Sequence, residues 1–308
     1  TCYAINAHHV YIYIRGEYKF FIDRVNAAIK EAYEAKIIGD KIMDKYDFKL
    51  DIVVHRGGGA YICGEKSALI ESLEGKRGHP RLKPAGKESE WFFGNPATVN
   101  NVETIASVPN IVENGSEGYT KYGTEKSPGT MLFAISGPVK NPGVYEMEYG
   151  NKMIDFLNIL GGGMIEGKKL KAIIPGGSSC PVLTAVEVEK AVLDHSSMSD
   201  IGSTLGTGGM IVIDEDTSMV DVAKNLIEFY HHESCGQCTP CREGTGWIDK
   251  ILKKILKGDG SKEDLNTILD VCNTMNGKTV CVFAPAVKDI IESIVKKFPH
   301  EFNIYFKN

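Results

Sequence analysis

Glu233-Ser-Cys-Gly-Gln-Cys-Thr-Pro-Cys-Arg242 decides how the rest of the chain is read. Cysteines at 235, 238 and 241 recur every third residue, and Cys281 follows in a turn-like Gly277-Lys-Thr-Val-Cys281. Thiolates two residues apart on a tight loop converge on one point, and a fourth brought back by the fold closes a four-thiolate cage. Iron–sulfur clusters use such cages. Structural zinc also accepts four cysteines, but its usual layout is two separate Cys-x2-Cys knuckles, so the spacing favours a [4Fe–4S] cluster over zinc. Disulfides suit small secreted domains rather than a chain of 308 residues.

Working outward, the sequence downstream of Ser218 reads as all helix. Ser218 to Tyr230 places Val222, Ala223, Leu226, Ile227 and Tyr230 on one face. Gly246 to Lys257 points Trp247, Ile248, Ile251, Leu252, Ile255 and Leu256 inward. Ser261 caps a third helix that runs through Leu265, Ile268, Leu269 and Cys272 to Gly277. Pro285 sits in the first turn of a fourth, through Val287, Ile290, Ile291, Ile294 and Phe298. Four amphipathic helices predict a bundle. Cys272 lies on an apolar stripe and reads as a core thiol, whereas Cys281 lies between helices, where it can turn toward the cysteine loop.

Upstream, from about Thr130, Met131–Ser136 and Val144–Tyr145 flank Gly137-Pro138 and Asn141-Pro-Gly143 and predict a β-hairpin. A short helix from Met153 to Leu160 and strands at Lys171–Ile174 and Met210–Ile213 complete a small α+β domain of the β-grasp kind. It carries no evident chemistry, and Cys180 reads as an unliganded loop thiol.

The first region alternates strand and helix. Val10–Ile14 and Leu50–Val54 are strands, and Phe20–Lys36 has helical periodicity at Phe21, Val25, Ala28, Ile29 and Ala32. The second strand runs into Arg56-Gly-Gly-Gly-Ala-Tyr-Ile-Cys-Gly-Glu65, and Ala68–Leu73 follows as a helix. Strand, glycine loop and helix in that order present backbone N–H groups to a phosphate or a flavin, through Gly57, Gly58 and Gly59; on local pattern alone a plain turn fits as well. Arg77 to Asn95 reads as loop. Asn100 with Glu103 resembles a capping box opening a helix, while Asn100 and Asn101 could equally offer amides to a planar heterocycle.

The totals bound the rest. At 43% apolar, the chain can build two or three cores. A formal charge of −5 without a basic tract argues against a nucleic-acid partner, and no apolar run is long enough to span a membrane. Eight cysteines with ligand-like spacing point to a reducing compartment. With neither an initiator Met nor a signal peptide before the Val10 strand, the sequence reads as one missing its beginning.

Taken together, Tyr61-Ile-Cys-Gly-Glu65, Ser72-Leu-Glu-Gly75, Asn100-Asn-Val-Glu-Thr104, the 233–242 segment and Gly277–Cys281 resemble the flavoprotein subunit of respiratory complex I and the homologous diaphorase subunits of NAD-linked hydrogenases and formate dehydrogenases. These motifs occur in the family's order over essentially the whole chain. The resemblance implies a multidomain α/β and α+β chain: a Rossmann-like FMN domain over 1–115, a β-grasp SLBB-type domain over 128–214, and a helical bundle with one [4Fe–4S] cluster over 217–308. It implies hydride transfer from NADH to FMN, then single electrons to the cluster and to partner subunits with their own iron–sulfur centres, inside a cytoplasmic complex that is peripheral to the membrane. Tyr61, Gly64, Glu65, Val99, Asn100, Asn101 and Thr104 match flavin-contact positions, and Cys235, Cys238, Cys241 and Cys281 match the cluster ligands.

Three departures from that family matter. Its N-terminal glycine-rich flavin loop and the acidic segment after it are absent. Lys66 stands where the family usually has a second glutamate, which raises NADP(H) beside NAD(H) as the nucleotide. Lys83-Pro-Ala-Gly-Lys87 replaces a segment whose Phe stacks on the nucleotide base. An alternative expectation is therefore a relay or scaffold subunit that has lost nucleotide oxidation.

Overall fold

The computed structural model describes residues 1–82 and 90–307, so Lys83–Lys87 lies outside the described residues. The chain divides into two compact units, Thr1–Pro109 and Asn110–Asn308.

In the first unit a short helix, α1 (Cys2–Ile5), precedes β1 (His9–Ile14), which pairs in parallel with β2 (Asp51–Arg56), His9 opposite Asp51 and Ile14 opposite Arg56. Parallel neighbours need a crossover, and α2 (Lys19–Glu34) provides it. The predicted helical stripe is real but lightly used: only Ile22 is buried, and Phe21 stays 57% exposed, because α2 packs on a sheet of just two strands. β2 feeds the glycine loop, a 3₁₀ turn (Tyr61–Gly64) and α3 (Lys66–Leu73). The stretch expected to be loop contains a hairpin, in which β3 (Glu90–Phe92) pairs with β4 (Asn95–Ala97) around Gly94, at φ 76°. Three-residue strands around a proline leave too short an alternation to read in sequence. α4 (Val102–Thr120) is broken at Gly115, where φ is 73°.

The second unit holds a five-stranded sheet in the order β6-β5-β9-β7-β8. Its strands are β5 (Thr130–Ser136), β6 (Gly143–Glu148), β7 (Leu170–Ile174), β8 (Leu183–Thr184) and β9 (Gly209–Asp214). β5 and β9 are parallel and the remaining pairs antiparallel. α5 (Met153–Asp155) continues as one π-turn through Leu160 and buries Met153, Phe156 and Leu157 among Phe133, Ile135 and Val212. Two short helices, α6 (Ala185–Val188) and α7 (His195–Asp200), lie between β8 and β9 in the chain.

The bundle in the same unit comprises α8 (Met219–Glu233), α9 (Thr239–Lys254), α10 (Lys262–Met275), α11 (Phe283–Lys297) and the short α12 (Pro299–Asn303). Ser218 and Ser261 cap α8 and α10 as expected, the latter in a capping box with Asp264. Two expectations are corrected. The second helix begins at Thr239, not Gly246, so Cys241 lies in its first turn rather than in a loop. Trp247, expected inside, is 53% exposed, because one residue of helix turns it about 100° from Ile248, on the side away from Leu252 and so off the buried face. The sheet and bundle are tied together by polar contacts: Ser178 Oγ to Tyr230 Oη at 2.9 Å, Val182 N–H donating to Ser293 Oγ at 3.0 Å, and Lys297 against Glu187.

Candidate functional site

Cys235 and Cys238 occupy the tight link between α8 and α9, Cys241 the first turn of α9, and Cys281 the loop between α10 and α11. Cys241 is buried and the other three are half-buried. Burial pushes the Cys241 thiol up to about 11; the Ser234 hydroxyl works against that, and Cys281, Cys235 and Cys238 push it further up. Cys281, Cys235 and Cys238 therefore each lie within electrostatic range of Cys241. Among the described residues no three His, Cys, Asp or Glu side chains gather tightly enough to hold a single metal ion. What fits a cluster here is the chemistry of the donors.

Those donors converge on the sulfurs. Val280 N–H donates to Cys238 Sγ at 3.3 Å, and Ser234 Oγ lies 3.4 Å from Cys241 Sγ. Cys238 is the N-cap of α9, so the positive end of that helix faces the thiols. Arg242 Nη1 donates to Gly236 O at 2.7 Å and keeps a guanidinium beside the loop. The Val280 amide and the Ser234 hydroxyl are donors of the kind that cluster-bound sulfurs accept. By contrast Cys272 is fully buried, its thiol pushed up to about 12 by burial, and it belongs to the core. Cys180 is likewise buried and accepts a hydrogen bond from Thr204 Oγ1 at 3.0 Å.

In the first unit, Gly57 and Gly58 differ in what surrounds them. A Cβ on Gly57 would lie 2.6 Å from Tyr13 Oη, so glycine is required by close approach to that ring. A Cβ on Gly58 would meet nothing within 4 Å: its backbone borders open space, as does that of the exposed Gly64. Gly59, at φ 89°, turns the chain between them. Tyr13 Oη in turn bonds Ser72 Oγ at 3.0 Å, which fixes α3 beneath the loop. Tyr61 is half-buried. A cradle with room above its backbone fits a flavin.

Glu65 has a second occupation. Its Oε2 accepts the Ala68 N–H at 2.9 Å and the Ser67 hydroxyl, which makes it the N-cap of α3. Lys66, the next residue, opens the helix and is exposed. Val99 is half-buried, and Asn100, Asn101 and Thr104 are exposed at the start of α4. The capping expectation is corrected by one residue: Asn101 Oδ1 accepts the Glu103 N–H at 3.1 Å, so Asn101 caps α4, and Glu103 falls too early to close a capping box with it.

A network went unread in the sequence. Arg81 binds Glu71 and the Trp91 carbonyl and lies 3.0 Å from Glu74, while Glu74 also accepts the Phe93 N–H at 2.7 Å and pairs with Lys76 at 2.7 Å. Lys76, the Phe93 amide and Arg81 together hold the Glu74 carboxyl at about 2. The signal was present in Ser72-Leu-Glu-Gly75 and Pro80-Arg81, but nothing in their spacing shows that they meet.

Comparison with known proteins agrees with this geometry. The Nuo51 FMN-binding domain family matches residues 1–110, the SLBB domain family residues 131–213, and the NADH-ubiquinone oxidoreductase-F iron–sulfur binding region residues 221–305. The second NADH-quinone oxidoreductase F subunit of Rhizobium meliloti (strain 1021) is 43% identical over 98% of this chain and 71% of its own length. The NADH-quinone oxidoreductase F subunit of Mycobacterium bovis is 44% identical over 98% of this chain and 67% of its own. The crystal structure of NAD+-reducing [NiFe]-hydrogenase in the H2-reduced state superposes with a TM-score of 0.88 at 31% identity, over 99% of this chain and half of the hydrogenase chain. With an FMN-binding domain, an SLBB domain and a 4Fe–4S binding region in that order, the chain belongs to the family of NADH-quinone oxidoreductase F subunits.

Proposed function

We propose that this chain is the nucleotide-oxidising subunit of an electron-transfer complex, with Cys235, Cys238, Cys241 and Cys281 as cluster ligands and with Gly57, Gly58, Gly59, Tyr61, Gly64, Glu65, Val99, Asn100, Asn101 and Thr104 around FMN. The observation that carries it is that Cys235, Cys238 and Cys281 lie within electrostatic range of Cys241 in the first turn of α9, with Val280 N–H and Ser234 Oγ donating toward Cys238 and Cys241. Bound FMN supplies the conversion of a hydride's two electrons into single-electron steps, and a bound four-iron cluster supplies a one-electron store. The chain's own residues set the conditions. The open backbone at Gly58 would let a bound flavin approach closely, Asn100 would present an amide, and Asn101 holds α4 in place while offering its own NH₂. The N-terminal end of α9 would offset the negative charge of bound thiolates, while Arg242 holds the loop through Gly236 O and pairs with Glu243 at 2.9 Å.

The nucleotide is NAD(H) by relationship. Lys66, exposed at the start of α3, favours NADP(H) by placing a cation where a ribose 2′-phosphate could sit. Kinship with the F subunits supports a peripheral, cytoplasmic place among iron–sulfur partner subunits. No described helix is long and apolar enough to cross a membrane, and no disulfide joins the cysteines. The test is iron and flavin content of the purified complex, followed by anaerobic bleaching of the flavin spectrum with NADH or NADPH. Bleaching by a nucleotide supports the enzyme. A flavin that dithionite bleaches and neither nucleotide does would make the chain a relay subunit, the reading that the Lys66 substitution favours.

A further inference from the structure

Among the contacts around the four thiols, one comes from a side chain that is neither a ligand nor part of the bundle core. Ser234 follows the last residue of α8 and precedes Cys235. Its Oγ accepts the Gly236 N–H at 3.3 Å and lies 3.4 Å from Cys241 Sγ. A hydroxyl has one proton and two acceptor lone pairs. With the Gly236 amide directed at the oxygen, the proton is left for the sulfur. The bond therefore runs from Ser234 O–H to Cys241, not the reverse, whenever Cys241 is a thiolate.

Cys241 is also where such a bond matters most. It is the buried member of the four, while its three companions are half-buried. A thiolate out of water has few other donors, and charge placed on it is stabilised poorly. Cys238, by comparison, receives its donor from the main chain, at Val280 N–H. The side-chain donor thus serves the sulfur that solvent serves least.

We propose that Ser234 tunes the reduction potential of the cluster, as a positioning and electrostatic residue acting through Cys241. The inference rests on the reading of Cys235, Cys238, Cys241 and Cys281 as ligands. Reduction adds one electron, and part of that charge falls on the ligand sulfurs. A hydrogen bond to one of them strengthens as the charge grows, so it favours the reduced form and raises the potential. Ser234 does not bind iron and is not needed for the cage to form.

The test compares wild type with S234A, S234T and S234V in the assembled complex, measuring iron per chain and the cluster midpoint potential by EPR-monitored redox titration. Threonine keeps the hydroxyl, and valine keeps threonine's shape without it. The expected result is full iron in all four proteins, with S234A and S234V harder to reduce by about tenfold in the equilibrium constant, which is ~59 mV for one electron. S234T should stay within about twofold of wild type, or ~18 mV. The proposal is overturned if S234A and S234V both stay within that twofold range, or if S234T shifts as far as they do. It is overturned too if the variants lacking the hydroxyl lose iron while S234T keeps it, which would make the serine structural. Wild-type iron content stands apart from all of these: stoichiometric zinc there would sink the ligand assignment itself rather than the role of Ser234.

Discussion

Lys297, near the end of α11, places its ammonium 2.7 and 2.8 Å from the two carboxylate oxygens of Glu187 in α6, and donates to the Val182 carbonyl at 2.9 Å. Glu187 at the same time closes the capping box of α6 with Thr184. One lysine thus satisfies an acid that would otherwise be drawn partly out of water with only its own helix for company. Burial alone would raise the Glu187 carboxyl; the Lys297 ammonium and the Thr184 amide and hydroxyl bring it below the usual carboxylate range.

The first prediction follows from that pair. Lys297→Met leaves the Glu187 charge without its cation and should destabilise the second unit by about 2–3 kcal/mol, because removing one partner of a shielded pair costs more than the pair contributes. Restoring neutrality with a second change, Glu187→Gln, should recover part of the loss. Urea unfolding followed by far-UV CD measures both, and equal midpoints for the single and double variants would show that the pair is not coupled.

Iron content separates the thiols. Cys281→Ser should lose the cluster, whereas Cys272→Ser should retain about four irons per chain, the content of one [4Fe–4S] centre. Cys272 lies in the bundle core, so its serine variant should instead lower stability by about 1–2 kcal/mol, the cost of an unpartnered buried hydroxyl. Iron lost on changing Cys272 and kept on changing Cys281 would reverse the assignment.

The flavin cradle predicts opposite behaviour for adjacent glycines. Gly57→Ala drives a methyl against Tyr13 and should lower thermal stability. Gly58→Ala meets no protein atom, so the melting temperature should hold while FMN affinity falls about tenfold, some 1.4 kcal/mol. Flavin fluorescence on release, read beside a melting curve, resolves the two. A Gly58→Ala protein with unchanged FMN affinity would place the flavin elsewhere.

Lys66 carries the nucleotide prediction. Lys66→Glu should lower the NADPH-to-NADH ratio of kcat/KM by about tenfold, ~1.4 kcal/mol, with ferricyanide as acceptor. A ratio changed by less than about twofold means that Lys66 does not touch the nucleotide, since twofold is only ~0.4 kcal/mol.

Acid should act through Glu74. Its carboxyl titrates at about 2 instead of 4.5, so the folded state holds the charge more firmly than the unfolded chain. The sign follows: the stabilisation is complete above pH 4.5 and is lost as pH falls toward 2. Glu74→Gln should be less stable than wild type at neutral pH and should shed part of the acid sensitivity in that window. Parallel stability–pH curves for the two proteins would show that the carboxylate is not responsible.

What sequence could and could not carry is visible in these same residues. The run of Cys235, Cys238 and Cys241 and the apolar stripes of the bundle stood out because they obey short periods, three residues for the cysteines and 3.6 for the helices. Trp247 was misplaced because an apolar residue beside a stripe reads as part of it, yet one residue of helix turns it about 100° away from Ile248 and toward solvent. Asn101 rather than Asn100 takes the cap because two adjacent asparagines offer the same oxygen, and the chain's entry angle chooses between them. The Glu71, Glu74 and Arg81 network stayed hidden for a different reason. Its bonds run from α3 to a proline-flanked arginine and on to a three-residue strand, and nothing in sequence spacing encodes such a meeting.

The placement of Cys281 also bears on the order of manufacture. It follows Cys241 by 40 residues, with the whole of α10 in between. A ribosome that has just released the Glu233–Arg242 segment presents three thiols and no fourth. Only when α10 has been made and folded back against α9 can the last sulfur turn toward the others. On the ligand assignment proposed above, iron delivered during synthesis would meet an open, three-sided site until the bundle had closed.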